Sequence, residues 1–163
     1  MNVRNCSDIG VNAQYIIKRL LANQNLLKLL YYTDKDPLNH EDLTKEQIQD
    51  EIFEKLIKII PRVGPKETAH SIVVLRIARG AGLATNSEFK NILISLEIFV
   101  PMTQWIIKDT NLRPFAIMGE IQKSLNNKKI EGLGKLTGGD FDLNFLTEEI
   151  SSYEQTFRLT SYD

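Results

Sequence analysis

The side chains that could do chemistry are few and scattered along the chain. His40 and His70 stand in different contexts, and neither has a second histidine or a cysteine at metal-ligand spacing, so each reads as a surface or loop residue. Asp34, Asp36, Asn39, Glu41 and Asp42 gather oxygen donors in one segment, as a calcium loop would. Such a loop needs glycine at its sixth position and a bidentate glutamate at its twelfth; here these are Asn39 and Lys45, which leaves a solvated loop as the expectation. The Gly-Pro-Lys-Glu-Thr run at 64–68 and Gly132-Leu133-Gly134 could cradle a phosphate. The first lacks the G-x-x-x-x-G-K-S/T spacing and the second follows a helix instead of a strand, so both read as ordinary turns. Cys6 has no histidine near it in sequence, and neither G-x-S-x-G nor H-E-x-x-H occurs. The expectation is a protein without catalytic, metal or cofactor-binding residues. An enzyme would have to build its site from scattered carboxylates, with Asp140 and Asp142 as candidates.

Composition narrows the classes further. A chain of 163 residues fits one domain, residues 1–163, which buries about 70% of its unfolded surface without help from disulfide or metal. Within it, N-terminal helices over 9–60 precede a sheet and a helix over 70–163. A net charge of -1 and a pI near 6.2 give no cationic field to recruit free DNA or an anionic membrane. The single cysteine and the lack of a signal-like apolar run point to the cytoplasm. Lys18, Lys28, Lys58 and Glu97 break the longest apolar stretches below membrane-spanning length.

Periodicity then places the elements. Tyr15, Ile16, Leu20, Leu27 and Leu30 recur at helical spacing over 11–32, with Asp8 as a cap and Asn23-Gln24-Asn25 as a point where the helix can split. Polar residues 33–43, with Pro37, predict an exposed loop. Thr44-Lys45-Glu46-Gln47 is a capping box, predicting a helix over 45–60 with Ile48, Ile52, Leu56 and Ile60 inward and Pro61 as its stop. Strands over 71–79 and 90–100 form a long hairpin with a mobile glycine-rich tip at 80–87, and Ile92, Ile94, Leu96 and Ile98 alternate with Leu93, Ser95 and Glu97. Pro114 opens a third helix whose inner side is Phe115, Met118, Ile121 or Gln122, and Leu125. A closing hairpin, 140–146 and 153–162, puts Phe141, Leu143 and Phe145 on one face, with Phe157 and Leu159 facing the same way on its partner. The fold class is α+β: an antiparallel sheet of about four strands with helices packed on one face.

Charge is uneven toward the C-terminus. Residues 103–136 carry six basic and three acidic side chains, whereas 137–163 carry one basic and six acidic. A head-to-tail contact between copies would bring these together, as a closed ring requires. The candidate contact residues are Gly80, Gly82 and Asn86 at the hairpin tip, Trp105 as an anchor, Lys128 and Lys129 on the basic side, and Asp140 and Asp142 on the acidic side.

The helix at 112–125, the glycine turn at 132–139 and the closing strand Tyr-Glu-Gln-Thr-Phe-Arg-Leu-Thr at 153–160 resemble tail terminator and tail-completion proteins of tailed bacteriophages. The long hairpin suits the same layout. Residues 26–37 (Leu-Leu-Lys-Leu-Leu-Tyr-Tyr-Thr-Asp-Lys-Asp-Pro) look like neck or tail-assembly proteins of phages infecting Gram-positive hosts. The resemblance implies a non-enzymatic virion subunit, assembled in the host cytoplasm, in a six-fold homo-oligomeric ring. Such a ring caps the tail tube, meets the head connector and touches DNA only as it passes through the channel. The N-terminal helices exceed what a minimal member needs, which leaves the particular ring of the neck open. The alternative is a small monomeric adaptor binding one protein partner through the 33–43 loop.

Overall fold

The computed structural model describes residues 6–59, 69–83, 86–130 and 134–160. Helices α1 (Cys6–Leu21) and α2 (Gln24–Tyr31) are followed by α3 (Lys45–Gln47), strands β1 (Ile57–Lys58), β2 (Ile72–Leu83) and β3 (Asn86–Pro101), helix α4 (Arg113–Leu125), and strands β4 (Lys129–Ile130), β5 (Gly134–Leu146) and β6 (Ile150–Thr160). One sheet runs β1-β2-β3-β6-β5-β4. Its four long strands are antiparallel throughout, as expected; β1 adds a two-residue parallel edge to β2, and β4 a two-residue edge to β5.

The N-terminal helix splits where the asparagines predict. Asn23 caps α2 by accepting from the Leu26 amide at 3.1 Å, while its own amide group donates to Ser124 Oγ and the Glu120 carbonyl of α4. Helix α1 begins at Cys6, so Asp8 lies inside it instead of capping it. The capping box forms as read: the Thr44 amide donates to Gln47 Oε1 and the Gln47 amide to Thr44 Oγ1.

The helix it starts is much shorter than its apolar stripe predicts. After α3 the chain widens into one π-helical turn, Ile48–Ile52, then Phe53 becomes extended and Glu54 takes φ +60°. Ile57 is recruited beside Val73 of β2, so sheet pairing overrides the helical period here. Pro61 and the 64–68 turn lie outside the described residues, as do Gly132 and Leu133.

The 72–101 hairpin is longer than expected. Pairing continues through Gly80 opposite Ile92, Gly82 opposite Phe89 and Leu83 opposite Asn86, so most of the expected tip is strand; only Ala84 and Thr85 lie between, outside the described residues. Likewise the glycine turn is strand from Gly134 onward, with Gly134, Gly138 and Gly139 at positive φ. Gly138 is required there: a Cβ would stand 2.8 Å from the Thr156 carbonyl oxygen.

Helices α1, α2 and α4 cover one face of the sheet. That face is floored by Val73 and Leu75 of β2, Ile92, Ile94, Leu96 and Ile98 of β3, and Phe157 and Leu159 of β6, all buried. Helix α4 turns Ile117, Met118, Ile121 and Leu125 inward; Phe115, expected inside, is 38% exposed, and Gln122 is exposed. Buried residues of the N-terminal helices and of the sheet form one contiguous core. None of the described helices is long and apolar enough to cross a membrane.

Candidate functional site

Arg113, invisible as a special residue in the sequence, is fully buried at the start of α4. Its guanidinium donates to four backbone carbonyls: Leu29 and Tyr32 at 2.7 Å, Gln104 at 2.8 Å and Asp34 at 2.5 Å. Leu29 and Tyr32 sit at the C-terminal end of α2, where carbonyls lack intrahelical partners and the dipole is negative. Burial pushes the guanidinium down to about 10, against the opposing pull of Asp34, so it stays charged at neutral pH. Its role is to tie α2, the 33–43 loop and the segment before α4 together.

That tie explains why the loop, expected to be solvated, is anchored. Pro37 and Leu43 are buried, and Lys108 Nζ reaches Asp36 at 3.0 Å while its amide donates to the Lys35 carbonyl. His40 lies over the Tyr32 ring with centroids 3.9 Å apart and contacts Asp34 at 2.7 Å. Burial raises the Asp34 carboxyl most strongly of any one cause, but the Asp36 amide and His40 together outweigh it and hold the group below its usual value. His70 is half-buried, with Nδ1 3.1 Å from the Tyr31 carbonyl oxygen. Among the described residues no three His, Cys, Asp or Glu side chains converge at metal-binding distance.

The sheet face away from the helices holds a polar row instead of a cavity. Register aligns Val74, Glu97, Glu154 and Asp142 across four strands, and next to them Arg76, Ser95, Thr156 and Asp140. Glu97, 2% exposed, pairs with Arg76 and accepts from Ser152 Oγ and Asn144 Nδ2 at 2.7 Å each, while Ser95 donates to Glu154. Strand alternation therefore marks Ser95 and Glu97 as a second buried layer, which polarity alone reads as an outer face.

Strand β5 is the outlier. Phe141 and Leu143 fall on the helix side, opposite Gln155 and Tyr153, and Phe141 meets Phe115 edge-on at 5.7 Å. A bulge at Asn144 switches Phe145 to the other face, where it packs on Phe99 at 5.9 Å; the expectation of one shared face fails there. The strand stays largely uncovered: Phe141 is 50% exposed, Leu143 53%, Phe145 39% and Leu146 55%. Strand β4 pairs with Gly134 and Lys135, Leu136 exchanges backbone hydrogen bonds with Asn127 and Lys128, and the Gly138 amide donates to Asn126 Oδ1, so among the described residues the outer edge of β5 is open over 139–146. At the opposite margin β1 pairs with Val73 and Val74 of β2.

The expected contact residues fall into separate places. Gly80 and Gly82 lie on the β2 margin with Asn86 across the hairpin, and Asp140 and Asp142 lie exposed on β5 at the far margin. Lys128 and Lys129 are exposed at the β4 end, where Lys128, Arg19 and Lys123 rim a shallow depression. Trp105 is half-buried, and its indole donates to Ser151 Oγ at 2.9 Å, so its polar end is satisfied within the chain. The missed features are Arg113 and the bulge. A lone arginine next to a helix-opening proline was the available signal for the first; a polar asparagine between Leu143 and Phe145 was the signal for the second.

No curated protein matches the chain. The YomW family matches residues 23–159, from the cap of α2 to the end of β6. The chain belongs to the YomW family and is a phage-associated protein.

Proposed function

We propose that the protein is a virion structural subunit that forms a ring at the head–tail junction, ending the tail tube and offering a surface to the head connector. The supporting observation is the β5 margin: over 139–146 its outer edge is open among the described residues, and it carries four large apolar side chains at 39–55% exposure. An exposed hydrophobic edge of this length is a liability in a monomer, because it templates indiscriminate strand addition, and an assembly subunit covers it with its neighbour. The phage-associated family and the layout of the elements agree with that role. The ring is homo-oligomeric and six-fold, DNA passes through its channel, and catalysis plays no part.

Negative-stain images of the purified protein test this reading, with rings of uniform diameter expected. A monodisperse field of particles the size of one 18.6 kDa chain would favour the rival, a monomeric adaptor that binds a partner through its anchored 33–43 loop.

A further inference from the structure

We infer that the subunits join head to tail through opposite charge: the acidic end of β5 in one copy meets the basic end of β5, with the depression beside it, in the next copy. The inference rests on the ring reading and names its contact.

Register leaves like charges side by side at each end of β5. On the face away from the helices Asp142 stands directly opposite Glu154, which itself stands opposite Glu97. Arg76 pairs with Glu97 and Ser95 donates to Glu154, but among the described residues no cation pairs with Asp140 or Asp142. Exposed Glu148 and Glu149 follow at the turn into β6. At the other end Lys129 stands directly opposite Lys135, and Lys128 shares the rim of the depression with Arg19 and Lys123. Glu120 pairs with Lys123, whereas among the described residues Lys128 and Lys129 have no carboxylate partner. Like charges directly opposite across a strand pair are unfavourable. A neighbour of opposite sign relieves both ends at once.

The two ends cannot serve each other within one chain. Lys135 and Asp142 are about 20 Å apart along β5 at the usual strand rise, beyond the screening length of about 8 Å at physiological salt. Exposed Arg158, opposite Thr137, stands between them and makes no ion pair among the described residues. Phe145, 39% exposed on the acidic face, adds apolar area to the same contact. Acidic end against acidic end, or basic against basic, would repel, so the favoured contact joins two different patches. Such a contact is heterologous, the type that closes into rings.

The test uses two full-length variants, each reversing one end: Asp140→Lys with Asp142→Lys, and Lys128→Glu with Lys129→Glu, all at exposed positions. Each alone is expected to keep the wild-type dichroism spectrum and to weaken association at least tenfold, running at monomer mass where wild type runs as a ring. In an equal mixture one variant has two basic ends and the other two acidic ends, so alternating rings of wild-type mass form. Asp142→Lys alone should leave the urea midpoint no lower than that of wild type, because it relieves the pair with Glu154; this separates lost association from lost folding. Folded variants that still form rings would overturn this contact while leaving the ring in place. A wild-type protein that stays a monomer at high concentration, or stops at a dimer, would overturn the ring reading itself.

Discussion

Strands β5 and β6 are hydrogen-bonded neighbours of similar composition, yet they live in different surroundings. Along β6, Tyr153, Gln155, Phe157 and Leu159 are buried; along β5 from 140 to 146 every residue is exposed. Phe157 and Phe141 show the contrast in one residue type, at 0% and 50% exposure. Place in the sheet decides the difference: β6 runs between two long partners, whereas among the described residues β5 has one over 140–146. Strand β6 builds the core, and β5 leaves the same kind of side chain exposed.

Truncating both phenylalanines sharpens the contrast most. Phe157→Ala should cost about 3–5 kcal/mol in urea unfolding, the range for an aromatic removed from a packed core. Phe141→Ala should cost under about 1 kcal/mol for the monomer while weakening self-association in sedimentation. Comparable losses at both sites would erase the distinction.

Next in size is Gly138→Ala, where the new methyl meets β6 backbone at positive φ. A loss of about 1–3 kcal/mol is expected, read as a lower melting temperature; an unchanged midpoint would mean the β5–β6 pairing can shift to accept a side chain. Asn23→Ala removes the α2 cap and its link to α4, for about 1–2 kcal/mol. Only its Ser replacement should recover part of that, since serine restores the cap without the reach to α4.

The smallest effect concerns pH. Asp34 is held below its usual carboxyl value in the folded chain, so its contribution is fully present above pH 3.8 and is lost as pH falls through the lower folded value. Asp34→Asn should therefore flatten the acid limb of the stability curve slightly and leave the midpoint between pH 5 and 7 unchanged in slope. An equally steep acid limb in the variant would remove Asp34 from the loop's anchoring.

Much of this is legible in the sequence. The capping box at Thr44, the break at Asn23, the two hairpins and the antiparallel sheet under helices all follow from local signals, because caps and strand alternation are local physics. What escaped was set by distant partners. Ile57 carries a helical period but pairs with Val73, and Ser95 and Glu97 look like a wet face until Arg76, Ser152 and Asn144 satisfy them. Arg113 reveals its four carbonyl partners only once α2 and the 33–43 loop converge. Charge and turn composition group the candidate contact residues, whereas the topology sets Gly80 and Gly82 on one sheet margin and Asp140 and Asp142 on the other.

Light scattering coupled to size exclusion, run over a hundredfold range of protein concentration, bears most directly on the claim that β5 is built to be covered by another copy. The account predicts a mass of several 18.6 kDa chains that rises to a fixed plateau with concentration. A single-chain mass throughout that range would contradict it.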